Sequence, residues 1–211
     1  CSLLIVIGLV STILYVSASE KTVFSISSHD NLKRGDTVTF AVSGKDVEDF
    51  DGLYLDVDYD TDSLEYQSSS FKEEYGDYSA INLLEDGKLN LVIVGFTDNR
   101  ISMPDGEFAY FTFKVKDNAS GNYDIKLSVH NGTDYFIRED IEQVPLKSTC
   151  EDGNYFVNVP VTNVSLLKDE FTLVKGETDN ITINYEPLDT TTAKNYRFTS
   201  NDEKIVTVDD D

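Results

Sequence analysis

From Thr22 onward apolar and polar residues alternate with a period of two, and turn residues interrupt the alternation every few positions. A period of two puts successive side chains on opposite faces of an extended strand, so the pattern restricts this chain to sheets that each bury one face. The candidate strands are Thr22–Ser27, Thr37–Ser43, Leu53–Tyr59, Ser79–Leu84, Lys88–Gly95, Phe108–Lys116, Tyr123–Val129 and Tyr155–Val159. Between them lie Arg34-Gly35-Asp36, Asp51-Gly52, Asp86-Gly87, Pro104-Asp105-Gly106 and Ser120-Gly121-Asn122, residues that turn the chain cheaply. No window of about 11 residues or more carries a helical stripe. Many short strands joined by Gly-rich turns define an all-β sandwich or barrel.

The alternation also assigns faces. Leu53, Leu55, Val57 and Tyr59 point to the core, and Tyr54, Asp56 and Asp58 point away from it. In the same way Ala109, Phe111, Phe113 and Val115 face in, while Tyr110, Thr112, Lys114 and Lys116 face out. The run Leu89–Val94 is apolar on both faces except at Asn90. Val92 and Val94 are expected in the core, leaving Leu89, Leu91 and Ile93 as an apolar strip. That strip is either exposed for a partner or covered by the domain's own loops, such as Gln67–Asp77.

A second rhythm begins near Val161. Val164, Leu166, Phe171, Leu173, Ile181 and Ile183 recur between turns at Lys175-Gly176-Glu177 and Glu186-Pro187, and Ile205–Val208 reads as a further strand. With no closing strand after it, this unit is expected to be an incomplete domain of a chain that continues.

Residues 1–19 carry no charged side chain, so the whole net charge of −22 falls on the rest. Such a surface repels phosphate backbones and anionic lipid headgroups, which argues against nucleic acid and against peripheral membrane binding. Leu3–Val16 is an uncharged run, short for a bilayer span of about 20 residues. It leads into Val16-Ser17-Ala18, small residues suited to a signal peptidase. Residues 1–18 are therefore expected to be a signal peptide, or alternatively an uncleaved anchor. Either reading sends the chain to the cell surface or the medium. The cysteines are Cys1 and Cys150, too few for a disulfide framework or a thiolate metal site.

Catalytic signatures are wanting. Asp56, Asp58, Asp60 and Asp62 invite a calcium-loop reading, but such a loop needs Gly at position 6 and Glu at position 12. Counted from Asp58 those positions hold Ser63 and Ser69, and counted from Asp56 they hold Thr61 and Gln67. Asp60–Asp62 reads instead as a strand end and turn. His29 and His130 stand beside turn residues with no metal-binding or triad context and read as surface loop residues. No cofactor, metal site or catalytic residue is expected.

Taken together, several segments resemble a cohesin module, the receptor that binds dockerins in bacterial cellulosome-type assemblies. They are Gly35-Asp36-Thr37-Val38-Thr39-Phe40, Gly52-Leu53-Tyr54-Leu55-Asp56-Val57-Asp58-Tyr59-Asp60, Asp86-Gly87-Lys88, Asp105-Gly106, Phe111-Thr112-Phe113-Lys114-Val115-Lys116 and Gly121-Asn122-Tyr123. Their order matches over about residues 22–160, and the resemblance implies a nine-stranded jelly-roll β-sandwich. It also implies a partner face on the sheet of Leu53–Tyr59, Ser79–Leu84 and Lys88–Gly95. The partner-binding residues expected there are Tyr54, Asp56, Asp58, Asn82, Leu84, Leu89, Leu91 and Ile93. Tyr54 departs from the family, which usually has a polar residue at that position, and Ile137–Glu151 is longer than the family pattern needs.

Residues 161–211 resemble the bacterial immunoglobulin-like group 2 repeat through Val164, Leu166, Lys168, Leu173, Gly176-Glu177, Pro187, Ser200, Ile205 and Val208-Asp209, which implies a spacer. The expected organisation is a signal peptide over 1–18, a cohesin-like sandwich over 19–160, and an incomplete immunoglobulin-like sandwich over 161–211. The expected function is non-catalytic binding of a dockerin-like protein. Binding of polysaccharide through tyrosines on the same sheet is the alternative from another class, and a purely structural stalk is a third.

Overall fold

The computed structural model describes residues 21–95, 100–139 and 142–209. The expected signal segment lies outside these residues. No helix among the described residues is long and apolar enough to cross a membrane.

Two sheets face each other across one core. The first strands are β1 (Thr22–Ile26), β2 (His29–Leu32), β3 (Thr37–Lys45), β4 (Gly52–Asp58) and β5 (Leu64–Phe71). They are followed by β6 (Ser79–Glu85), β7 (Lys88–Val94), β8 (Gly106–Val115) and β9 (Gly121–Val129). Next come β10 (Tyr135–Glu139), β11 (Glu142–Pro145), β12 (Ser148–Glu151) and β13 (Gly153–Val157), and past the sandwich lie β14 (Asn163–Leu166) and β15 (Ile183–Glu186). One sheet runs β12-β1-β3-β8-β5. In the other, β4 is central, with β7 and then β6 along one edge and β9 and β10 along the other. The sheet continues from β9 through β13 to β2.

All eight strands expected from alternation are present, with ends shifted by one or two residues. Five further strands in the sandwich were not expected. The most consequential is β5, which lies in the sheet opposite β4, paired to β8. Gln67–Phe71 is thus strand rather than a loop over the expected apolar strip.

The core is filled by facing side chains of both sheets. Phe24, Phe40, Phe111 and Phe113 come from one, and Leu55, Val57, Ile125, Leu127 and Tyr155 from the other. Phe40 meets Phe113 edge-on with centroids 5.8 Å apart, and Phe24 meets Tyr135 at 5.3 Å. Such edge-to-face pairs add to the stabilisation that burial already provides. Cys150 is a free thiol packed against this core, and burial pushes its pKa up to about 11.

The pairing of β4 with β7 reverses one assignment made from sequence. Leu53, Leu55 and Val57 stand directly opposite Ile93, Leu91 and Leu89. Residues directly opposite in a ladder share a face. Leu89, Leu91 and Ile93 are accordingly core, each 0% exposed, and they form no surface strip. Val92 and Val94 are the residues that point outward, and both are half-buried.

After Pro160 the described residues form a single ribbon, in which β14 pairs with β15. Val164 stands opposite Tyr185 and Leu166 opposite Ile183, with Val164 and Leu166 largely exposed. Ile205–Val208, expected as a strand, is turn and irregular backbone.

Candidate protein-binding face

The outer face of the sheet around β4 can be read off its register. Along β4 toward its C-terminal end, Gly52 lies between Phe136 and Val94, and Tyr54 lies beside Val92, which in turn faces Ala80. Asp56 lies between Ser128 and Asn90, and Asn90 faces Asn82. Asp58 lies between Lys126 and Lys88, and Lys88 faces Glu85. The face therefore has two halves. One is apolar, made of Phe136, Tyr54, Val92, Val94 and Ala80. The other is polar and ionic.

The apolar half has its own small packing unit. Phe136 is buried yet stands outside the main core, on the outer side of the sheet. Tyr54 stacks on it with centroids 6.3 Å apart and planes 13° from parallel, and the Arg138 guanidinium lies 5.9 Å from the Phe136 centroid. This unit exists because β10 pairs with β4 and β11 with β10, which extends the sheet and sets Phe136 beside Gly52. Asp51 anchors the extension: its carboxylate accepts from the Arg138 backbone N–H, and its N–H donates to the Phe136 carbonyl at 2.9 Å.

The polar half is organised around Asp56, which is only 5% exposed although it points away from the core. Asn90 Nδ2 donates to its Oδ1 at 2.8 Å, His130 Nδ1 lies 2.9 Å from both oxygens, and Lys88 Nζ lies 3.4 Å from Oδ2. Burial, the largest influence, pushes this carboxyl's pKa up. The hydrogen bonds from His130 and Asn90, with the charge of Lys88 and that of His130 when its ring is protonated, outweigh burial and hold the carboxyl below its ordinary value. Lys88 also pairs with Asp58 at 3.5 Å, and that neighbouring charge raises its pKa. Beyond it the β4–β5 and β6–β7 turns frame an acidic cleft of about 360 Å³ that includes Asp60, Asp62 and Asp86. The Asp86-Gly87 turn between β6 and β7 places Gly87 at φ 87° with its Cβ direction 3.1 Å from the Tyr59 carbonyl, a position suited to glycine.

Of the residues expected at a partner face, Tyr54, Asp56, Asp58 and Asn82 come together on this surface, and Leu84 is exposed at the bulge that ends β6. Leu89, Leu91 and Ile93 do not take part, since they line the core beneath it. Val92, Val94, Phe136 and His130 were missed. His130 does lie in the turn that its sequence neighbours suggest, but its ring is bonded to Asp56. Its partner Asp56 is 74 positions away and becomes a neighbour only when β9 pairs with β4. The other histidine is likewise structured: His29 lies in β2, its Nε2 2.9 Å from the Thr39 carbonyl oxygen and its ring edge-on to Phe40. Asp60 does form the expected turn, accepting from the Asp62 and Ser63 N–H groups at 2.8 and 2.9 Å.

A two-sheet β-sandwich with one sheet face divided between apolar and polar residues is the class this architecture defines. Residues 22–148 match the family model described as the cohesin domain, and the chain belongs to the cohesin family. Similar solved structures include the seventh ScaB type I cohesin of Pseudobacteroides cellulosolvens. It is 20% identical, with a TM-score of 0.56 over 72% of this chain and 99% of that one. The sixth cohesin of Acetivibrio cellulolyticus scaffoldin B, solved in complex with a Cel5 dockerin mutant, is 23% identical, with a TM-score of 0.54 over 66% and 100%. A non-cellulosomal cohesin from the archaeon Archaeoglobus fulgidus is 16% identical, with a TM-score of 0.51 over 66% and 93%. The comparison with curated proteins returned no match. At these identities the structural likeness speaks for the fold.

Proposed function

We propose that this chain is a non-catalytic, extracellular receptor module whose outer face around β4 docks a dockerin-type protein partner. The observation that carries the reading is the division of that face. Half-buried Val92, Val94 and Tyr54 stand beside a polar half whose groups are already held in place, the combination of apolar and polar contacts found in specific interfaces. Membership of the cohesin family supports the class of partner, as do related cohesins solved in complex with dockerins. The segment after Pro160 acts in this reading as a spacer.

Calorimetric titration of the full chain against a panel of recombinant dockerin modules tests the proposal. At least one is expected to bind, and Val92→Asp is expected to abolish that binding while the thermal midpoint stays within a few degrees. If no module binds, the dockerin reading fails. If Val92→Asp binds as wild type does, the interface lies elsewhere.

A further inference from the structure

His130 occupies a position on the outer face that its surroundings fix closely. It opens a short turn, His130–Gly132, in which Asn131 and Gly132 adopt φ values of 49° and 73°. The turn is tied back on itself by the Asp134 N–H, which donates to the His130 carbonyl at 3.3 Å. It is tied to β4 by the Tyr54 N–H, which donates to the Asp134 carbonyl at 2.7 Å. The ring is thereby held beside β4 and over Asp56, with 29% of its side chain exposed.

The neighbours of Asp56 determine the state of that ring. An ionised carboxylate can only accept hydrogen bonds, and around it Asn90 Nδ2 donates to Oδ1 while the Lys88 ammonium, a donor only, lies against Oδ2. Nδ1 of His130, 2.9 Å from both carboxylate oxygens, must therefore carry the hydrogen. A neutral ring protonated at Nδ1 leaves Nε2 as a bare acceptor. Among the described residues no hydrogen bond of the chain reaches that nitrogen. Asp56 has its oxygens occupied by the chain's own donors, so its role is to position the ring.

We propose that His130 is a specificity-determining contact of this face: Asp56 holds its ring so that Nε2 accepts a hydrogen bond from a hydroxyl or amide donor on the docking partner. The inference rests on the reading of this face as the docking surface. The contact lies where the apolar half meets the ionic half, so the partner residue that supplies the donor flanks the apolar residue seated on Tyr54 and Val92.

Two measurements on the full chain test it. Long-range proton–nitrogen correlation spectra at pH 8 read the tautomer directly. Wild type is expected to show His130 protonated at Nδ1, whereas in Asp56→Asn the Nε2-protonated form gains population. Calorimetry with whichever dockerin of the panel binds wild type reads the contact. His130→Ala is expected to lose about tenfold in affinity, the effect of one removed hydrogen bond. His130→Gln, whose amide oxygen can stand near the Nε2 position, is expected to recover part of that loss. An Nε2-protonated His130 in wild type overturns the proposal. So does His130→Ala binding within twofold of wild type, an outcome that leaves the docking face itself standing. If no dockerin of the panel binds wild type, both the docking reading and this inference fall.

Discussion

The ring of Phe136 fills the space that a side chain at Gly52 would need: a Cβ built on Gly52 would lie 2.5 Å from Phe136 Cζ and 2.7 Å from its Cε1. Gly52 is in regular strand, so its value here is the absence of a side chain rather than backbone freedom. Gly52→Ala should push Phe136 off the sheet and disturb Tyr54, which stacks on it. Overpacking of this kind costs about 1–3 kcal/mol. A denaturant midpoint lowered to that extent is the expected result, and an unchanged midpoint would mean the ring can move aside freely.

The reversal of faces on β7 yields a sharp contrast between neighbouring residues. Leu91 is fully buried among core side chains, so Leu91→Ala should cost about 2–5 kcal/mol. Val92→Ala, on the half-buried outer side, should cost under about 1 kcal/mol. Ile93→Asp would bury a carboxylate with no partner and is expected to unfold the module. Thermal melts of the three variants give the order. A harmless Leu91→Ala together with a costly Val92→Ala would restore the opposite assignment.

These two cases also mark how far the residues alone could be read. In β4 the alternation of Leu53, Leu55 and Val57 with Tyr54, Asp56 and Asp58 names the faces without help, and the structure agrees. In β7 both faces are apolar, so alternation is silent, and only the register that sets Leu91 opposite Leu55 settles the question. Strand β5 was illegible for another reason. A bulge at Gln67 shifts the period, and Ser68 and Ser70 fill its outer face, so Phe71 falls out of phase with Leu64 and Tyr66. The polar half of the candidate face was legible in Asp56, Asp58 and Asn82. Its organising contact with His130 was not, because no local pattern encodes a neighbour on another strand.

Asp56 makes stability depend on pH in a calculable direction. Hydrogen bonds and nearby positive charge hold the folded carboxyl below its ordinary value despite the opposing effect of burial. A carboxyl depressed in the folded state stabilises the fold above its unfolded pKa of about 3.9, and that contribution is lost as pH falls through the lower folded value. Asp56→Asn should therefore flatten the acid side of the stability–pH curve, with wild type and variant converging below about pH 4. If the two curves run parallel from pH 7 down to 3, the carboxylate makes no net contribution as an ion.

The joint after the sandwich is the last place where the structure commits to a behaviour. Val159 is a core residue, and its N–H donates to Thr191 Oγ1 at 2.8 Å, while the Thr191 N–H donates to the Val159 carbonyl at 2.8 Å. The Thr191 hydroxyl passes its own hydrogen to Asn158 Oδ1 at 2.9 Å, and Thr190 Oγ1 donates to the Val159 carbonyl at 2.8 Å. Next to these, Val161 N–H donates to Thr192 Oγ1 at 3.0 Å, and Arg34 pairs with Asp189 while donating to the Ala119 carbonyl at 2.9 Å. Residues 189–192 thus bind back onto the segment that leaves the sandwich after β13 and hold the following ribbon against it. Thr191→Val keeps the shape but removes the hydroxyl, leaving the Val159 N–H without its acceptor at a cost of about 1–3 kcal/mol. Hydrogen exchange at the Val159 amide should accelerate about tenfold or more, and protease cleavage between residues 160 and 163 should quicken, while the Leu55 and Leu91 amides keep their protection. Unchanged exchange at Val159 would show that water replaces the hydroxyl at no cost and that the joint is held by other contacts.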